Sequence, residues 1–328
     1  MSHPAKQEIK NLLKARYRLL YLVTWEEERC KTSIADIAEE MPGFEVFEWS
    51  LTSGLASVAG SSDPITDMND PGDILHHIKN SKNKGIYILK DFHAFLNDVS
   101  IIRALRDLTS IDGEIYKPIV ITSPIMQVPV EIEKVMQIVD FDLPTREEIS
   151  TLIEEAYTAI CEKLEGDNDL CDEKKEFLIQ ACQGLTIDEI ENVLAKSWVE
   201  KGELNVDIIL KEKKQIIRKS GVLEYFDNLE QFGDVGGMDR LKQWIIRRTK
   251  AFSDKAREFQ LPHPKGVLLL GVPGCGKSLV CKSIAGLWKM PVIRLDVGKV
   301  MHGIVGSSEE NMRKAIRVAE AVSPCILF

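Results

Sequence analysis

Short apolar runs alternate with longer amphipathic stretches along the first 143 residues. Leu19-Leu20-Tyr21-Leu22-Val23-Thr24 and the alternating run 44–49 predict two strands, and between them Ile34, Ile37, Ala38 and Met41 recur in helical step. After a Ser/Gly/Asp-rich loop over 50–71, Ile86-Tyr87-Ile88-Leu89 and Ile119-Val120-Ile121 predict further strands. A helix over 101–108 separates them, and a last strand lies near Ile138-Val139-Asp140-Phe141. Alternation of this kind predicts an α/β module with a parallel sheet and helices on its faces. The pattern changes at Pro144. Thr145 with Glu148 and Thr186 with Glu189 read as capping boxes, each opening a run of apolar positions at helical spacing, and Phe177, Leu178, Ala181 and Cys182 mark a helix between them. These residues predict a small helical bundle. Lys211-Glu212-Lys213-Lys214 and Arg218-Lys219-Ser220-Gly221 then read as a charged linker.

The expected organisation is therefore an α/β module over 1–143, a helical bundle over 144–210, a linker over 211–230 and a second α/β module over 231–328. Charge separates the halves. Residues 1–220 carry 26 Lys+Arg against 40 Asp+Glu, or −14, and residues 221–328 carry 16 against 11, or +5, within a total of −9. An acidic front repels nucleic acid and a basic back suits an anionic ligand. No helix-turn-helix, zinc motif or sustained basic stripe is present, so a nucleic-acid partner is not expected. The seven cysteines contain no Cys-x-x-Cys pair and predict reduced thiols. No apolar run approaches the ~18 residues of a membrane span, and no export signal is read, which predicts a cytosolic-type protein.

The segment with the clearest chemistry is Gly271-Val272-Pro273-Gly274-Cys275-Gly276-Lys277-Ser278-Leu279, a full Gly-x-x-x-x-Gly-Lys-Ser loop. The apolar Gly266-Val267-Leu268-Leu269-Leu270 before it predicts a strand, and the run through Ile284 and Ala285 after it predicts a helix. Glycines let backbone N–H groups converge on one phosphate, and the helix N-terminus adds its positive dipole end. Lys277 is the candidate for the β- and γ-phosphates and the candidate catalytic residue, and Ser278 is the candidate ligand of Mg²⁺. Cys275 reads as a tolerated small side chain rather than a redox thiol.

With its flanks this segment resembles the AAA family of P-loop ATPases. Phe232-Gly233-Asp234-Val235-Gly236-Gly237-Met238 is similar to the motif that opens the family's nucleotide-binding module, which implies that Asp234, Val235 and Gly236 form the adenine pocket. The same resemblance places a pore-loop position at Ile304, where the family's unfoldases carry an aromatic, and Ser307 where an acid is usual. It also aligns residues 323–328 with the first part of a Walker B strand, ahead of the family's Asp-Glu pair. The chain is on that ground expected to be part of a longer ATPase, retaining ATP and Mg²⁺ binding with little turnover.

The front half resembles an AAA module without a nucleotide site. Ile86-Tyr87-Ile88-Leu89-Lys90-Asp91-Phe92 is similar to a Walker B strand whose second acid is Phe92, and Thr122-Ser123-Pro124 follows the strand where a sensor lies. Pro144-Thr145-Arg146-Glu147-Glu148 resembles the start of a helical lid. Trp25-Glu26-Glu27-Glu28-Arg29 stands where a phosphate loop belongs, so three carboxylates are expected where phosphates would sit. Asp91 reads as a strand-end carboxylate, and His76, His77 and His93 as surface or capping histidines. A degenerate module followed by a P-loop module resembles the conserved open-reading-frame AAA ATPase family of cyanobacteria and algal plastid genomes. That resemblance implies an ATPase that remodels or regulates a macromolecular, protein partner, forms homo-oligomers when complete, and resides in the cytoplasm or, for plastid-encoded relatives, the stroma. The alternative is a nucleotide-responsive scaffold in which the acidic front module binds the partner.

Overall fold

Strands buried on both faces need apolar residues at every position, and the front module supplies them. The computed structural model describes residues 4–58, 68–82, 84–110, 115–164, 172–219, 223–226, 235–249, 251, 259, 265–288, 290–298, 312, 315, 316, 318–320 and 325–328. The chain divides into two units, Met1–Thr145 and Arg146–Phe328.

In the first unit, strands β1 (Leu19–Val23), β2 (Glu45–Ser50), β3 (Gly54–Ser57), β4 (Gly85–Lys90), β5 (Ile119–Ser123) and β6 (Gln137–Asp140) form one sheet in the order β3-β2-β4-β5-β1-β6. All neighbours run parallel except the β2–β3 hairpin. Alternate residues of β1 serve opposite layers. Leu19, Tyr21 and Val23 pack with α3 (Pro71–Asn80) and α4 (Val99–Ser110), and Leu20 and Leu22 pack with α1 (Pro4–Lys14) and α2 (Glu27–Glu39). Parallel sheets require this double covering. The strands expected at 19–24, 44–49, 86–89, 119–121 and 138–141 are present, whereas α1, α3 and β3 were not anticipated. Asp70 caps α3 by accepting from Gly72 N and Asp73 N, with Pro71 as the first helical residue.

In the second unit, helices α5 (Arg146–Leu164), α6 (Asp172–Cys182), α7 (Ile187–Lys201) and α8 (Val206–Lys219) surround an apolar cluster that includes Ile149, Ile153, Leu178, Cys182, Ile190, Leu194 and Ile209. The Thr186–Glu189 capping box closes at the start of α7, with both reciprocal hydrogen bonds made. The charged stretch expected to begin a linker is helix instead: residues 211–219 belong to α8, whose Ile208, Ile209 and Lys213 are buried. Spacing explains it, because positions four apart share a helix face whatever the polarity between them. A smaller sheet follows, β7 (Leu223–Phe226) antiparallel to β8 (Val292–Leu295), which runs parallel to β9 (Ile326–Leu327). Helices α9 (Asp239–Thr249) and α10 (Lys277–Trp288) share the cluster of Val235, Ile245, Val280 and Ile284.

The strand expected over 266–270 is not formed. Residues 265–270 have no regular structure, and Leu268 and Leu270 are 81% and 85% exposed. An apolar run becomes a strand only where neighbouring strands take its N–H and C=O groups, and none of the described strands pairs with this segment.

Candidate functional site

The glycine-rich loop meets the first turn of α10. Gly274 and Gly276 hold φ of +84° and +86°, left-handed values that other residues adopt at a cost, so the glycines are required by the turn itself. Gly271 has a different constraint: a Cβ added there would collide with Cys275 Sγ. Cys275 N donates to Val272 O at 3.3 Å and Val280 N donates to Gly276 O at 3.0 Å, so the helix begins as soon as the loop closes. Lys277 lies folded back on the loop, its Nζ donating to Gly271 O at 2.8 Å and Val272 O at 2.9 Å, with Cys275 Sγ at 3.7 Å. Val272, Pro273, Gly274, Cys275 and Ser278 are exposed and Leu279 is half-buried.

Part of the expected base pocket reaches the same place. Val235 is buried against Val280 and Ile284 of α10, with Leu279 packed beside them, and Lys242 Nζ donates to its carbonyl; Gly236 follows, exposed. Asp234 lies outside the described residues, as do Ile304 and Ser307. Sequence reading missed Lys242, which pins the Val235 carbonyl from one helical turn into α9, and Trp288, whose Nε1 donates to Thr249 Oγ1 at 3.1 Å. Lysine five residues past a Gly-Gly turn gives no pattern that separates it from an ordinary surface lysine.

The residues fit an anionic, metal-bearing ligand of polyphosphate type. Positive-φ glycines, a helix N-terminus and an ammonium offer an anion donors, and the Gly271 and Val272 carbonyls of the same loop are occupied by Lys277. Among the described residues no group of three His, Cys, Asp or Glu could hold a metal, so a cation here would take the Ser278 hydroxyl and the ligand's own oxygens, the usual habit of Mg²⁺.

In the front unit the chain leaves β1 toward β2 on one side, while β6 lies on the other, so the carboxyl end of β1 is the switch point where open α/β sheets bind ligands. The three carboxylates expected there part company. Glu26 is turned inward, 5% exposed, ion-paired with Arg29 at 2.5 Å; Arg29 in turn donates to Asp142 O at 2.7 Å and stacks on the Phe141 ring at 4.9 Å. Glu26 is therefore a structural anchor between α2 and the end of β6. Glu27 and Glu28 stay at the mouth with Glu48 around Lys90, whose Nζ lies 3.7, 3.1 and 3.0 Å from them. Burial, opposed by Lys90 and reinforced by Asp91 and Glu28, holds the Glu27 carboxyl above the usual range. His93 was expected as a surface or capping histidine, and it is instead mostly buried, its Nδ1 sharing a hydrogen bond with Ser123 Oγ at 2.9 Å. His76 pairs with Asn80. Asp91 takes a left-handed φ of +52° at the strand end and is exposed.

Family models account for most of the chain. The SpoVK-like AAA ATPase N-terminal domain matches residues 5–141, the SpoVK-like AAA ATPase second domain matches 147–220, and the ATPase family associated with various cellular activities matches 267–328. The chain belongs to the AAA ATPase family. Proteins described as "Uncharacterized AAA domain-containing protein ycf46" are similar to this AAA ATPase over 98% of its length, that of Guillardia theta at 36% identity and that of Pyropia yezoensis at 35%. The chain spans 63% and 65% of those two relatives. A cell division cycle protein 48 homolog of Archaeoglobus fulgidus is 25% identical over 164 residues, 45% of this AAA ATPase and 22% of that protein. Family membership supports ATP binding. No helix among the described residues of this AAA ATPase is long and apolar enough to cross a membrane. Five of its cysteines, 30, 182, 275, 281 and 325, are free. Burial pushes the Cys30 and Cys182 thiols up to about 12, which leaves them as inert core residues.

Proposed function

We propose that the loop 271–279 binds Mg-ATP and that the complete protein hydrolyses it to remodel or regulate a protein partner. The observation that carries this reading is the cradle of Gly274, Gly276 and the α10 N-terminus, with the Lys277 ammonium held at the loop carbonyls Gly271 O and Val272 O. In this reading the loop N–H groups surround the phosphates, Lys277 exchanges its carbonyl partners for the β- and γ-phosphate oxygens, and Ser278 Oγ holds Mg²⁺. Asp234, Val235 and Gly236 hold the adenine. Mg²⁺ supplies charge neutralisation on the phosphates; the chain's part is to position them and to exclude competing anions. Homo-oligomerisation of the complete protein and a cytoplasmic or stromal location belong to the same proposal. Calorimetric titration of Mg-ATP into the 328-residue chain tests it: one site per chain, lost in Lys277→Ala, is expected. Equal heats from both proteins refute it.

A second reading is favoured by the front unit. Glu27, Glu28 and Glu48 gathered on Lys90 occupy its switch point with acids, which repel a polyphosphate, so we read this module as the interaction surface of a nucleotide-responsive scaffold.

A further inference from the structure

The carboxyl edge of the front sheet gathers side chains that soluble surfaces usually keep apart. Register places them. Val23 of β1 pairs with Ser123 of β5, so Trp25 and Ile125, each two residues on, leave the sheet from adjacent strands. Trp49 of β2 pairs with Leu89 of β4, which sets Leu51 beside Asp91 in the same way. With strands spaced about 4.8 Å apart, the row from β2 through β4 and β5 to β1 spans roughly 15 Å. Trp25 is 70% exposed, Leu51 53%, Met126 49% and Ile125 40%. Single exposed apolar residues are ordinary, but four along one edge, one of them tryptophan, mark a contact surface.

The edge is also held ready. Tyr21 Oη donates to Ile125 O at 2.5 Å and accepts from Gln127 N at 3.3 Å, and Ser123 Oγ donates to the same Ile125 carbonyl at 2.9 Å. A loop tied at three points loses little freedom on binding. Charge selects the partner. The cations here are withdrawn, Lys90 and Lys31 being 17% and 20% exposed at their side chains, whereas Glu28 and Asp91 stand out at 65% and 62%. What faces solvent around Trp25 is therefore acidic.

We infer that the carboxyl edge of the front sheet is a docking site for a cationic, apolar segment of a partner protein, with Trp25, Leu51, Ile125 and Met126 taking its apolar side chains, and Asp91 and the surplus of Glu27, Glu28 and Glu48 over Lys31 and Lys90 taking its Lys or Arg. The inference rests on the reading of the front unit as an interaction module and is independent of the nucleotide site. Its probe is a fluorescein-labelled twelve-residue peptide of Arg-Leu-Leu-Arg repeats, titrated into the full chain by anisotropy at 150 mM salt, beside Arg-Ser-Ser-Arg and Glu-Leu-Leu-Glu peptides. Binding of the first peptide alone is expected, weakened about tenfold or more by Trp25→Ala and by Asp91→Asn, both exposed positions whose replacement leaves the core intact, Asn tolerating the left-handed backbone of Asp91. Lys277→Ala should bind it as the wild type does, so loss of the nucleotide site and loss of this one are read separately. Equal binding of the Arg-Ser-Ser-Arg peptide would reduce the surface to general charge attraction and overturn the proposal. So would unchanged affinity in both front variants, or tighter binding of a single-stranded RNA oligomer than of the peptide.

Discussion

Gly271→Ala isolates the tightest contact in the glycine-rich loop. The new methyl group would collide with Cys275 Sγ, while Cys275 Cβ stands at an ordinary 3.7 Å. The thiol must rotate away, losing its place beside Lys277 Nζ, or the loop must open. Overpacking of a well-packed core costs about 1–3 kcal/mol, and this exposed loop falls toward the low end where the thiol turns away and reaches the range where the backbone must shift. If that cost falls on the binding-competent loop, Mg-ATP affinity drops about five- to 150-fold. Cys275→Ala removes Sγ and leaves only the Cβ contact, so the double variant Gly271→Ala/Cys275→Ala should return to within about threefold of Cys275→Ala alone. The assay is a four-protein cycle by calorimetry, with circular dichroism confirming that each variant is folded. A double variant as weak as Gly271→Ala would show that the methyl group obstructs something other than the thiol and refute the reasoning, as would a single variant that binds like wild type.

Two further predictions concern the frame around the sites. Lys213 is 5% exposed in α8, and burial, against the opposing influence of Cys182 and Cys325, pulls its ammonium down to about 8. The unfolded chain then holds one more proton than the folded one between about pH 8 and 10.4, so stability contributed by this residue rises with pH across that window. Lys213→Met should stabilise the chain at pH 7 by about 3 kcal/mol and flatten the difference above pH 8, measured by urea unfolding; equal midpoints at pH 7 would show the amine to be solvated. In the front unit, Glu26→Ala removes the carboxylate ion-paired with the buried Arg29 side chain and should destabilise by up to about 3–5 kcal/mol, with Glu26→Ala/Arg29→Met recovering much of it. Unfolding followed through the front unit's own tryptophans, Trp25 and Trp49, would count against the pair if the single variant matched wild type.

The sequence-level picture succeeds where a residue's role depends on near neighbours. Runs of consecutive apolar residues such as 19–23 and 119–121 become strands buried on both faces, and Thr186 with Glu189 closes its capping box, because each is settled within a few residues. The glycines of the loop 271–278 are legible for the same reason. Long-range partnership is what pattern does not carry. Leu268 and Leu270 look like strand residues and stay exposed, paired with none of the described strands, and Glu26 is indistinguishable in sequence from Glu27 and Glu28 until the fold brings Arg29 and Asp142 O together. Helices α1 and α3 also carry local signals: Asp70-Pro71 ahead of Ile74, Leu75 and Ile78 is a helix start, and Ile9 and Leu13 are four apart. Lys213 shows the opposite failure, a charged residue whose place on the buried face of α8 is set by spacing alone.

The two carbonyls that Lys277 grips have an effect on selectivity. An ammonium holding Gly271 O and Val272 O has committed two of its three N–H groups, so on the proposed reading an arriving phosphate competes with those carbonyls for it. Capture of phosphate at this loop, as proposed, would be partly an exchange, and a lone orthophosphate, offering one centre of charge, would recover little more than it displaces. On the proposed reading a chain of phosphates would engage the loop N–H groups with one member and draw Lys277 across with the next, so the resting lysine would favour longer polyphosphates.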